Sequence, residues 1–156
     1  MTVDLDEIRR VRDEADCLCS AEAVDQALDR LASDITARLH DRNPLIYAVM
    51  NGGLVLAGRL LPRLPFPLEL AYLHATRYGH ALEGTLLDWR VRPTQDLRGR
   101  TVLVLDDILD EGHTLAAIID YLKGEGAREV VSAVLVHKVH ERKAYPGMRA
   151  DFTGLD

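Results

Sequence analysis

The chain has 156 residues, enough for one well-formed core and short for two, so a single domain over 1–156 is expected. Hydrophobic residues make up 47% and charged residues 28%, a balance that excludes a disordered chain. With 19 Lys and Arg against 25 Asp and Glu, the formal charge of −6 offers no general basic face, so no nucleic-acid partner is expected.

Charges are scattered through MTVDLDEIRRVRDEAD, and no later apolar run reaches membrane-spanning length, so neither a secretion signal nor a membrane partner is expected. Cys17 and Cys19 have no second Cys or Cys/His pair with which to build a zinc site. The six His residues show no metal-ligand spacing either. A reducing cytoplasm is the expected location.

Ala21–Leu39 sets Val24, Leu28, Leu31 and Ile35 at helical spacing behind Ser20, a side chain suited to cap a helix start. Pro44 breaks that pattern. Leu45–Met50 is a short apolar run that predicts a strand buried on both faces, ending at Asn51-Gly52-Gly53. A helix is expected from Leu54 to Leu64, where Pro62 and Pro65 stop it, and a second strand over Pro67–Ala75. Arg77–Pro93, with Gly79 and Gly84, predicts a long surface loop.

Thr101–Leu105 predicts another buried strand, followed by a polar turn and a helix through Leu115, Ile118, Ile119 and Leu122 that ends near Gly124-Glu125-Gly126. Val130–Val136 is the next expected strand. Alternating strands and helices imply an α/β fold, a parallel sheet covered on both faces whose ligand crevice lies at the carboxyl ends of the strands.

Val102–Leu115 reads VLVLDDILDEGHTL: a strand, two adjacent carboxylates, a third carboxylate, then Glu-Gly-His-Thr opening a helix. A Gly-containing turn at a helix start offers unpaired N–H groups and a favourable dipole to a phosphate. Adjacent acids at a strand end cannot hide in the core without partners such as hydroxyls, cations or water.

This segment resembles the phosphoribosyl pyrophosphate signature of the type I phosphoribosyltransferases, in particular the bacterial hypoxanthine-guanine branch. The resemblance implies a central parallel sheet with a small hood built from the N- and C-terminal segments. It also implies transfer of ribose 5-phosphate from 5-phosphoribosyl 1-pyrophosphate to hypoxanthine or guanine, with Mg2+. Asp106 and Asp107 would hold the ribose hydroxyls and, mainly through substrate and water, the metal. Glu111, Gly112, His113 and Thr114 would wrap the 5′-phosphate, with the Glu111 side chain turned to solvent. Asp110 would meet N7 of the base as catalytic acid–base, its pKa raised by the neighbouring acids.

Other segments extend the resemblance. Met50-Asn51-Gly52-Gly53 is similar to the family's pyrophosphate loop, which implies Asn51 and Gly52 at the leaving group, and Thr76-Arg77-Tyr78-Gly79 to the start of its mobile loop, which implies Arg77 and Tyr78 on the pyrophosphate side. Lys138, after the Val130–Val136 strand, matches the lysine that meets the 6-oxo group of the purine. Ala150–Gly154 resembles the hood segment, implying Phe152 stacked on the purine with Thr153 beside it. The chain ends at Asp156, which implies a shortened hood. A dimer or tetramer is expected by resemblance. The competing readings are a nucleotide-sensing regulator of this fold that binds RNA, and a transferase for xanthine, adenine or uracil.

Overall fold

The structure, a computed structural model, describes residues 4–77 and 87–156. Its centre is a six-stranded sheet made of β1 (Leu45–Val49), β2 (Glu69–Arg77), β3 (Leu87–Val91), β4 (Thr101–Leu109), β5 (Glu129–His137) and β6 (Phe152–Leu155). The strand order is β3-β2-β1-β4-β5-β6, parallel throughout except for the antiparallel β2–β3 pair. Helices α1 (Leu5–Glu14), α2 (Ala21–Leu39), α3 (Gly53–Leu60) and α4 (His113–Gly124) complete the elements, with a short 3-10 turn at Leu61–Arg63.

Strand alternation divides the core into two layers. Ile46, Ala48, Leu103, Leu105, Val131 and Ala133 point to the side covered by α2 and α3, where Leu28, Leu31, Ile35, Leu56 and Leu60 meet them. Leu45, Tyr47, Val49, Val102, Val104 and Val134 point to the other side, under Leu115, Ile118 and Leu122 of α4. The continuous apolar runs of β1 and β4 follow from this two-sided burial, because neither face of a central parallel strand meets water. Ser20 caps α2 as its sequence position suggested, accepting from the Ala23 N–H at 3.1 Å.

Three expectations are corrected. The Arg77–Pro93 segment contains strand β3, whose Leu87, Trp89 and Val91 are half-buried while Asp88 and Arg90 are exposed, the period-2 pattern of an edge strand. Strand β4 runs on through the acids to Leu109, held by pairing with β5 at Asp106↔Val134 and Ile108↔Val136. Phe152 and Thr153 belong to a sixth strand of the sheet rather than to a hood over the site. Helix α1 was not foreseen; Asp4 caps it, none of its residues is buried, and Leu5, Ile8 and Val11 are exposed. No helix among the described residues is long and apolar enough to cross a membrane.

Candidate active site

The sheet order reverses between β1 and β4, and the crevice that such a reversal opens lies beyond the carboxyl ends of the two strands. A cavity of about 700 Å³ occupies this position, lined by Val49, Met50 and Ala75 from the first half of the sheet and by Asp106–Leu115 from the second.

The walls come from two turns. After β1 the Met50–Asn51 peptide is cis, and Gly52 passes so close to Asp107 that a Cβ on it would stand 2.5 Å from Asp107 Oδ2. Glycine is what lets the β1 turn and the β4 acids share the crevice. After β4, Gly112 has φ 85° and precedes α4 with no side-chain cap. A Cβ at Gly112 would sit 2.5 Å from Met148 Sδ and 2.8 Å from Leu109 Cδ1. The first helical hydrogen bond runs from the Ala116 N–H to the Gly112 carbonyl at 2.9 Å. The preceding amides, of His113, Thr114 and Leu115, are therefore the free donors of an uncapped helix start and suit an anion.

Asp106 and Asp107 stand side by side on β4, and the Asp106 carboxylate accepts from the Asp107 N–H at 3.0 Å. Burial, followed by repulsion from Asp107, pushes the Asp106 carboxyl up to about 7. These acids form an all-oxygen donor set with no cationic hydrogen-bond partner among the described residues, which fits a hard divalent cation completing its shell with water and substrate oxygens. Among the described residues no group of three or more His, Cys, Asp or Glu is arranged to hold a metal ion by itself.

Asp110 differs in sign. Lys138 Nζ donates to its Oδ2 at 2.8 Å and His140 Nε2 lies 2.7 Å from its Oδ1. The Lys138 hydrogen bond first, and then that of His140, hold the Asp110 carboxyl down at about 2, which corrects the expectation of a raised value. Both oxygens carry short charge-assisted or imidazole bonds that outweigh the desolvation of the carboxylate, and the expected repulsion from Asp106 and Asp107 does not figure among the causes of the shift.

Of the other expected site residues, Glu111 is exposed as foreseen, its carboxylate 3.8 Å from His113 Nε2, while its carbonyl accepts from the Ala144 N–H at 2.7 Å. His113 and Thr114 line the crevice. Asn51 is exposed at the β1 turn. Arg77 ends β2, and Tyr78 lies outside the described residues.

Phe152 does not reach the site. It pairs in register with Ala133 and Thr153 with Val134, so they lie five and four strand positions back from Lys138, about 16 Å and 13 Å along the sheet. Phe152 packs into the α2–α3 layer with the Arg38 guanidinium 5.7 Å from its ring centroid. Arg38 also bridges Glu129 at 2.9 Å and Asp151 at 3.2 Å, which ties the start of β6 to α2 and β5.

Two residues of the site escaped sequence reasoning. His140 and Lys143 lie in an irregular segment after β5, and Lys143 Nζ donates to the carbonyls of Lys138 at 2.6 Å, Leu109 at 3.4 Å, and Asp110. The VHKVH run places His140 two residues after Lys138. Nothing in it assigned that histidine a partner.

Comparison with known proteins agrees with this geometry. The family described as "Phosphoribosyl transferase domain" matches residues 16–146. The chain is 30% identical over 142 residues to the bifunctional protein TilS/HprT of Listeria innocua, covering 88% of this chain and 21% of that protein's length. It is 27% identical to the hypoxanthine-guanine phosphoribosyltransferase of Bacillus subtilis, covering 89% of this chain and 77% of that one. In structure it resembles a hypoxanthine phosphoribosyltransferase from Staphylococcus aureus, with a TM-score of 0.84 at 19% identity over 97% of this chain and 82% of that chain. A hypoxanthine-guanine phosphoribosyltransferase from Bacillus anthracis gives a TM-score of 0.81 at 24% identity, over 90% of this chain and 82% of that one. The matched residues span both glycine turns and the β4 acids, and the chain belongs to the phosphoribosyl transferase domain family.

Proposed function

We propose that this chain, acting as one phosphoribosyltransferase domain, is a purine salvage enzyme that converts hypoxanthine or guanine and 5-phosphoribosyl 1-pyrophosphate to IMP or GMP and pyrophosphate. The observation that carries the base assignment is the Lys138–Asp110 pair, 2.8 Å apart beside the ribose acids. A lysine donor suits the 6-oxo group of hypoxanthine or guanine and leaves the 6-amino group of adenine unpaired, at a cost of roughly 1–3 kcal/mol.

In the reaction, the C1–oxygen bond to pyrophosphate breaks with its electron pair on the leaving group, and purine N9 forms the new bond to C1. Asp110 accepts the proton that N7 gives up as N9 becomes bonded, a general-base role. Asp106 and Asp107 orient the ribose through its hydroxyls, and the amides of His113, Thr114 and Leu115 fix the 5′-phosphate. Asn51, Gly52, Arg77 and Tyr78 are the candidates for the pyrophosphate side. Asp106 and Asp107 would hold a magnesium ion, mainly through substrate and water, and that ion would supply positive charge against the leaving pyrophosphate. Self-association is supported by the uncovered apolar side chains of Leu54 and Val55 on α3 and Leu70 and Tyr72 on β2.

The test is nucleotide formation from hypoxanthine, guanine, xanthine and adenine with phosphoribosyl pyrophosphate and Mg2+, alongside Asp110→Asn. IMP or GMP production that falls roughly 10²- to 10⁴-fold in Asp110→Asn is expected, the range for loss of a general base. Adenine as the preferred base, or no product from any base, would refute the assignment.

A further inference from the structure

Asp110 Oδ2 is engaged by Lys138, yet the base needs both of these groups: N7 calls for a free carboxylate oxygen and the 6-oxo group calls for the ammonium. The two must separate when the purine enters, and Asp110, whose side chain is about half exposed, would then be free to rotate. A second contact prevents this. His140 Nε2 lies 2.7 Å from Asp110 Oδ1, and its imidazole is one-fifth exposed against the half-exposed carboxylate.

The protonation of that imidazole follows from its other nitrogen. The Arg142 backbone N–H donates to His140 Nδ1 at 3.1 Å, so Nδ1 carries a lone pair. The hydrogen therefore sits on Nε2 and points at Asp110. The loop that carries His140 is itself stitched to the end of β4. Lys138 N–H donates to the Leu109 carbonyl at 3.0 Å and Ala144 N–H to the Glu111 carbonyl at 2.7 Å. Lys143 Nζ binds the carbonyls on both sides of the seam. His140 is thus fixed relative to the backbone of the residue it grips.

We propose that His140 is a positioning residue for the transfer reaction: as a neutral Nε2–H donor it holds Asp110 Oδ1, so that Oδ2 stays aimed at purine N7 after Lys138 turns to the 6-oxo group. This rests on the purine-transfer reading above and adds to it the group that keeps the general base in place. The low pKa of Asp110 in the free protein is consistent with a carboxylate held at both oxygens, one of which the substrate must release.

The experiment compares His140→Ala with His140→Gln, whose side-chain amide nitrogen falls where the imidazole Nε2 does. In His140→Ala, kcat should drop roughly 10- to 100-fold, the value of one hydrogen bond to a charged group, with KM for phosphoribosyl pyrophosphate within about twofold of wild type. His140→Gln should recover most of the loss. In the Asp110→Asn background, His140→Ala should cost less than about twofold more, because the histidine acts through that carboxylate. Equal activity of the Ala and Gln variants, whether high or low, or a full additional loss in the double variant, would overturn the proposal. If the wild-type protein forms no nucleotide from any base, the transfer reading fails. The His140 contact is then judged by the 15N spectrum of its imidazole: a protonated Nε2 with an unprotonated Nδ1 supports it, and the opposite tautomer sinks it.

Discussion

Asp106→Asn should make the metal-free protein more stable at neutral and alkaline pH, although it removes a group assigned to ribose binding. Burial and the charge of Asp107 move the Asp106 carboxyl from an ordinary 3.8 to about 7. That is roughly three pH units, and at about 1.4 kcal/mol each the ceiling is ~4 kcal/mol. Asp106 retains some contact with water and can share strain with Asp107, so ~1–2 kcal/mol is the realistic gain. The asparagine keeps an oxygen to accept from the Asp107 N–H, now 3.0 Å away. Because the folded-state pKa is raised, the unfolded chain loses its proton first as pH climbs, and wild-type stability falls between about pH 4 and about pH 7. The variant lacks that fall.

Thermal unfolding with divalent cations chelated should therefore show Asp106→Asn melting about 3–6 °C above wild type at pH 8, with the difference closing toward pH 4. An equal or lower melting temperature at pH 8, or a gain that is independent of pH, would refute the electrostatic account. Added Mg2+ and phosphoribosyl pyrophosphate should then stabilise wild type more than the variant, since binding to the native state alone adds stability.

The remaining predictions concern single side chains. Gly112→Ala places a Cβ on a residue at φ 85° and into Met148 and Leu109. The backbone cost alone is about 1–2 kcal/mol, so a lower melting temperature and weakened phosphoribosyl pyrophosphate binding by calorimetry are expected together. Lys138→Ala removes the largest cause of the low Asp110 pKa, so a carboxyl 13C titration should show it rise from about 2 toward the ordinary range. The same variant should discriminate less between hypoxanthine and adenine in kcat/KM, and an unaltered ratio would remove Lys138 from base selection. Phe152→Ala should destabilise by ~3–5 kcal/mol as a core truncation, measured by urea unfolding. At temperatures where the variant is folded, its KM for the purine should match wild type; a selective loss of base binding would return Phe152 to the site.

Much of the sheet was legible because its strands are central and therefore apolar throughout: Leu45–Met50 and Thr101–Leu105 mark β1 and the core of β4 in the sequence alone. The far end of β4 was not, since Asp106 and Asp107 read as the end of a strand, whereas pairing with β5 continues past them to Leu109. Backbone pairing continues there although the side chains of Asp107 and Ile108 are exposed. Strand β3 has alternation over only five residues, too short to stand out beside Gly79 and Gly84. Phe152 was misplaced for a different reason. An aromatic near a motif says nothing about strand register, and register alone sets it back from the crevice.

The half of the crevice proposed for ribose and phosphate was readable because it is contiguous, nine residues from Asp106 to Thr114 with a glycine where the turn requires one. The half proposed for the base depends on a fold-back of the segment after β5, so His140 and Lys143 meet Asp110 across 30 and 33 residues of sequence separation, at hydrogen-bond distance. No local spacing encodes such a meeting.

The two halves also differ in how they are anchored. Asp106 is locked into the sheet ladder between neighbours that cannot shift without breaking the core, while Lys138 and His140 ride on a loop fastened by a handful of side-chain and backbone bonds. On the proposed reading, substitutions at the exposed positions Val139, Glu141 and Arg142 would retune which base is accepted, whereas Ala144 and Met148 of the same segment brace the Glu111–Gly112 turn and belong to the frame. An engineer seeking a new nucleobase should vary those exposed positions first, keep Lys143, Ala144 and Met148 as the segment's tethers, and leave the β4 acids untouched.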